Sequence, residues 1–108
     1  MTPVEILKAA KAKIEDPAHW CQGASARDRE GLLVQPEDPG ACRWCVIGAI
    51  SVVTGCDYDL SLTAHGFLTC AANEFGKPLA QEVNDETDHP TTMRFMDRAI
   101  ALAEQEAK

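Results

Sequence analysis

The sequence predicts a mainly α-helical fold of about four helices, with one short β-hairpin packed across them. Three observations carry that prediction. Capping signals with an adjacent proline stand at Thr2-Pro3 and Asp38-Pro39. Apolar residues recur at helical spacing in the first, third and fourth segments described below. Between the first two of the four predicted helices lies a polar stretch that ends in Gly31. The chain has 108 residues, and its 11.7 kDa predicts about 5,900 Å² of folded surface against roughly 17,000 Å² extended. A core of that size holds a fold without a metal or disulfides, so residues 1–108 are expected to form a single small globular domain.

The first helix opens on Thr2-Pro3-Val4-Glu5, a capping box with proline at the first helical position. Val4, Leu7, Ala10 and Ile14 make one apolar face, and Asp16-Pro17 ends it. The second helix is expected from Asp38-Pro39 to about Thr54, with Gly55 as the residue beyond its end. Its body, residues 44–53, carries no charge, which marks a central, buried helix. Gly48 and Ala49 allow a neighbour to approach it closely. The third helix spans residues 61–75, with Ala64, Phe67 or Leu68, Ala71 and Phe75 inward and Gly76 and Pro78 as its stop. The fourth covers residues 91–105, with Met96, Ala99, Ile100 and Ala103 inward. Residues 20–25 and 32–34 are expected to pair as the hairpin, with 28–31 as its turn. Residues 77–90 read as an irregular polar segment.

Charge and cysteine usage narrow the function. Residues 1–54 hold six basic and seven acidic side chains, whereas residues 55–108 hold four and ten, so nearly all of the net −7 lies in the second half. That half repels phosphate backbones, and direct nucleic-acid binding is not expected. The longest apolar run, residues 45–53, is too short to span a membrane. The N-terminal residues lack the basic and apolar regions of a secretory signal. A cytoplasmic location is the expectation, with reduced thiols and no disulfide framework among the five cysteines. Cys45 and Cys70 sit in apolar or Ala-rich stretches, where a thiol packs as a small hydrophobe; buried filler is the expected role of the sulfurs.

Several constellations could carry chemistry. Cys42-Arg43-Trp44-Cys45 is a CxxC whose first cysteine falls in the first turn of the expected second helix. As a zinc site it lacks a second tight pair among Cys21, Cys56, His65 and Cys70. As a disulfide-exchange site it lacks the preceding buried strand. A cysteine hydrolase would use Cys45 or Cys21 with His65 or His89 and Asn84 or Asp85, but no spacing requires that set. His65 reads better as a helix-packing residue and His89 as a turn residue before Pro90. The acidic run 85–88 lacks calcium-loop register, and no glycine-rich phosphate loop is present. No metal or cofactor is called for. Trp20 and Trp44 read as core residues beneath the hairpin, their N–H groups bonded to backbone.

Three patches together carry a resemblance: Trp20-Cys21-Gln22-Gly23 with Arg27-Asp28 and Gly31; Trp44-Cys45 followed by Gly48-Ala49; and Asn84-Asp85 ahead of the final helix. In these the chain resembles a family of small, uncharacterised bacterial and phage proteins without an assigned activity. The resemblance spans the chain from the first helix to the last and implies domain limits and helix order. Family members often carry Trp directly before Asn-Asp and a Gly-Arg-Thr run after it. Here Val83 precedes Asn84, and Asp88-His89-Pro90-Thr91 follows. If the three patches converge, they gather Trp20, Gln22, Arg27, Asp28, Trp44, Asn84 and Asp85 on one face as a candidate binding site. The functional expectation is a small acidic protein-binding or regulatory module with a protein partner, an inhibitor of phage or bacterial origin suiting its size and charge. The alternative is a thiol-dependent enzyme, a cysteine hydrolase or disulfide exchanger, using Cys45 or the Cys42/Cys45 pair.

Overall fold

A computed structural model describes residues 1–107. Helix α1 spans Pro3–Ile14 and opens on the expected capping box: Thr2 accepts from the Glu5 amide (3.2 Å) while Glu5 accepts from the Thr2 amide (2.8 Å). A single 3-10 turn follows at Pro17–His19. Two short strands, β1 (Ala26–Arg27) and β2 (Arg43–Trp44), pair antiparallel. Then come α2 (Val46–Val53), α3 (Tyr58–Glu74), α4 (Ala80–Glu86) and α5 (His89–Glu106). The fold is mainly helical with a small two-stranded sheet, but the helices number five among the described residues, not four.

The extra helix is α4, inside the segment read as irregular. Its buried residues Ala80, Val83 and Asn84 stand at i, i+3 and i+4, which is a helical face. The face was disguised because one of its three positions is an amide. Helix α2 is shorter at its start than the Asp38-Pro39 signal predicts. Residues 39–45 are not helical: Asp38 Oδ1 accepts from the Gly40 amide (2.7 Å), making a local turn. The amides of Cys42 and Cys45 are then taken by the carbonyls of Arg27 (3.0 Å) and Ser25 (3.2 Å). Helix α2 starts only after Cys45, whose sulfur accepts from the Gly48 amide (3.3 Å). Cys42 therefore lies outside any helix.

The hairpin is also rearranged. Its turn is where the Asp and Gly residues put it, with the Gly31 amide donating to Asp28 O (3.0 Å) and the Asp28 amide to Leu32 O (3.0 Å). Residues 26–28, however, and not 20–25, lie opposite 32–34, as the Arg27–Leu33 bridge shows. The main partner of β1 is β2, and Trp20 joins Trp44 on the far side as a parallel bridge. Residues 20–45 thus form a strap laid over one end of the helices.

Beneath the strap lies a helical core. Buried side chains from all five helices meet there, among them Ile6, Leu7, Val46, Leu68, Val83 and Phe95. Helix α1 packs on α2 and α5, and α3 packs on α5. The inward faces of α1, α3 and α5 follow the expected periodicity, with Ile6 added to α1 and Phe95 and Thr92 to α5, and with Val4, Phe67 and Phe75 only half-buried. Lys11–Asp97 (2.7 Å) and Arg98–Glu74 (2.6 Å) tie helices together at the surface, where such pairs contribute at most about 1 kcal/mol. Accessible surface totals 5792 Å², near the figure expected from mass. None of the described helices is long and apolar enough to cross a membrane.

Candidate functional site

The strap meets the helices at Asn84. This side chain is fully buried on α4 and makes four hydrogen bonds with two atoms. Its Oδ1 accepts from the Trp20 indole N–H (2.8 Å) and from the Val46 amide (3.0 Å). Its Nδ2 donates to Cys21 O (3.0 Å) and to Asp85 Oδ1 (2.9 Å). One amide group therefore joins α4, the start of α2 and the start of the strap. Only Asn or Gln offers donor and acceptor side by side, and Asn is the shorter of the two.

Neighbouring residues extend the junction. The Gln22 amide nitrogen donates to the carbonyls of Asn84 (3.1 Å) and Thr87 (2.8 Å), at the end of α4. Asp85 Oδ1 also accepts from the Gly23 amide (3.0 Å); Gly23 has φ +76°, a conformation that disfavours other residues there. Gly48 makes the closest contact. A Cβ on it would lie 1.9 Å from Ser25 O, so only glycine lets α2 and the strap touch. His89, in the first turn of α5, bonds Ile14 O through Nε2 (2.8 Å) and meets the Trp20 ring edge-on at 5.3 Å between centroids.

The structure brings Trp20, Gln22, Asn84 and Asp85 of the seven candidates into direct contact. Arg27 adjoins them, its guanidinium donating to Gln22 O (3.3 Å) and Gly31 O (2.8 Å). Asp28 faces away into the hairpin turn, accepting from the Glu30 (2.9 Å) and Leu32 (3.0 Å) amides. Trp44 stands apart from Asn84: its indole donates to Pro36 O (2.9 Å), and Lys13 Nζ lies 4.0 Å from its ring centroid. Both indoles are half-buried. Trp44 bonds backbone as expected; Trp20 bonds a side chain. Among the described residues, no buried side-chain nitrogen or oxygen lacks a partner.

The five thiols differ in exposure, with Cys42 half-buried between the extremes. Cys21 and Cys45, at the two ends of the strap, are buried. Burial, and then the Cys45 thiol beside it, pushes the Cys21 pKa up to about 11. Burial raises that of Cys45 too, against the lowering effect of the Gly48 and Ile47 amides. Cys45 borders a 180 Å³ cavity with Ser25, Gln81 and Asp85, whereas Cys42 faces a different one with Lys13, His19 and Trp44. The CxxC is thus split between two sides of an extended segment. Cys56 and Cys70 are exposed, which corrects the expectation of a buried Cys70 and of buried sulfurs throughout. Half-buried His65 sits within α3, and its burial lowers its pKa. No group of three His, Cys, Asp or Glu side chains among the described residues is placed to hold a metal ion.

Two residues that the sequence reading passed over as strand positions stand out. Leu32 and Leu33, past the hairpin turn, are 64% and 69% exposed. Leu32, Leu33 and Val34 are a run of three apolar residues, too short to show which of them face solvent.

A family model, described as a family of unknown function (DUF6197), matches residues 1–104. The chain belongs to the DUF6197 family. That agrees with the resemblance to an uncharacterised family, and the DUF6197 match covers the strap, α4 and nearly all of α5. No curated protein and no solved structure matches the chain.

Proposed function

We propose that this chain is a protein-binding module that presents the 28–33 loop as its recognition element. The observation that carries the reading is the adjacent pair of exposed leucines, Leu32 and Leu33, on a loop already braced from within. Asp28 holds the turn through two amides and Arg27 holds it through Gly31 O. A loop fixed before contact loses little conformational entropy on binding, so two apolar anchors on it are worth more than on a mobile one. Arg29 and Glu30 are both exposed beside the leucines, a polar rim of mixed charge around the two apolar anchors. In this reading Trp20, Gln22, Asn84 and Asp85 act beneath the binding surface, holding the strap to the helices, while Arg27, Asp28 and Trp44 brace the strap from within.

The alternative of a thiol-dependent enzyme draws less support. A nucleophilic sulfur needs a low pKa and access, and Cys45 has neither. His89 is engaged by Ile14 O and Trp20.

The test is capture from an extract of the native host under reducing conditions, with wild type, L32D/L33D and C42S/C45S as baits. The reading expects a protein held by wild type and by C42S/C45S, and lost with L32D/L33D. Substitution of exposed leucines changes stability by roughly 0.5 kcal/mol or less, so unfolding does not explain such a loss. Equal capture by L32D/L33D contradicts the reading. Capture that depends on the two cysteines favours the alternative.

A further inference from the structure

We infer that a groove between the start of α1, the middle of α3 and the end of α5 receives a basic amphipathic helix of a partner protein. This surface is separate from the hairpin and goes beyond the reading above. The groove measures 690 Å³, within the range of roughly 300–1,000 Å³ typical of ligand-binding clefts. Pro3, Val4, Phe67, Ala103 and Ala107 supply apolar lining, and Thr63 lies on its α3 wall.

The wall itself is unusual for a surface helix. From Leu60 to Asn73, α3 carries no Asp, Glu, Lys or Arg, although a quarter of the chain is charged and a solvent-facing helix normally places its charges outward. Leu62, beside Thr63, is 51% exposed and extends the apolar strip past the groove. Gly66 has open space where a Cβ would stand. A largely apolar trough between helices, with acidic residues at its α5 end, suits an occupant whose apolar anchors recur at i, i+3 or i+4, and i+7.

Charge selects the occupant. Glu104 and Glu106 line the groove at the α5 end, and Asp59 stands one turn before Thr63 on α3. The carbonyl end of α5, with no basic residue in its last turn, adds negative potential, part of which the amino end of α1 at Thr2 and Pro3 offsets. Lys8 and Glu104 pair with each other (3.3 Å), so Glu106 and Asp59 are the acidic groups that carry the selection. A second copy of this chain, with net charge −7, would bring acid against acid. A helix with Lys or Arg beside its apolar anchors complements both the trough and its rim.

The test uses the full chain and two synthetic 18-residue helices with one leucine pattern, the remaining positions being Lys in one and Glu in the other. Binding is followed by titration calorimetry and by amide NMR shifts. The Leu/Lys helix should bind and move the amides of Val4, Phe67 and Ala103. T63R, at an exposed position, should keep the wild-type melting temperature and weaken that binding at least tenfold. E106K should weaken it too and improve affinity for the Leu/Glu helix. L32D/L33D should leave it unchanged, so failure at the hairpin and failure at the groove are read separately. The inference is overturned by undiminished binding to T63R, by shifts spread over the acidic surface, or by equal binding of the two helices. It is also overturned by self-association that T63R abolishes and the Leu/Lys helix does not compete with, because a second copy would then be the occupant.

Discussion

The helical bundle and the strap are held by different forces. In the bundle, side chains such as Ile6, Leu7, Leu68 and Phe95 are fully buried and interchangeable in kind; any apolar group of suitable size would serve. In the strap, residues 20–45, the large exposed side chains outnumber the buried ones. Its position depends on individual polar bonds, above all the two from Asn84 to Trp20 and Cys21, with those of Gln22 and Gly23 to α4 beside them. Burial is tolerant and spread over many atoms, whereas a hydrogen-bonded junction fails when one group is lost. The two regions should therefore respond differently to substitution.

The largest effect is expected in the bundle. F95A empties a fully buried site that also touches Phe75 edge-on at 5.9 Å, and should cost about 4 kcal/mol. Urea unfolding would show it as one cooperative shift of helix and strap signals together. N84A comes next, at about 3 kcal/mol, because it strands the Val46 amide and the Trp20 indole. Its signature differs: Trp20 fluorescence and strap amide protection should change at urea concentrations where helical circular dichroism is still native. If N84A instead unfolds in the same single transition as F95A, the two regions are not separable. G48A should cost about 2 kcal/mol, since the added Cβ must push Ser25 O away; the same strap probes should report it, with the core helices unmoved.

A smaller effect is set by pH. The Cys21 thiol ionises near 9 when unfolded and near 11 when folded. Below pH 9 both states hold the proton and stability is unaffected. Between about pH 9 and 11 the unfolded chain loses it first, so stability falls as pH rises. Melting temperatures across that window should decline, and C21S should decline less. A profile for C21S that matches wild type would remove the thiol from this account.

What could be read beforehand follows the same division. Helices α1, α3 and α5 were legible because burial on one face leaves a period of 3.6 residues, as Leu7, Ala10 and Ile14 or Met96, Ala99 and Ala103 show. Gly48 was legible as a point of close approach, though not the carbonyl it meets. Helix α4 was hidden because Asn84 occupies an inward position. The start of α2 was misplaced because the Asp38-Pro39 signal is used for a turn, while strap carbonyls claim the next amides. The candidate residues around Trp20 and Asn84 were recognisable as motifs, but no rule of spacing says that residues 62 to 64 positions apart exchange hydrogen bonds.

Thiol labelling at neutral pH, resolved by peptide mass, tests the junction most directly. With the strap pinned by Asn84, wild type should label at Cys56 and Cys70 within the time that Cys21 and Cys45 remain unmodified, and N84A should expose the latter pair while its helices persist. Rapid modification of Cys21 and Cys45 in wild type, or their unchanged protection in N84A, would contradict the claim that this one amide holds the strap in place.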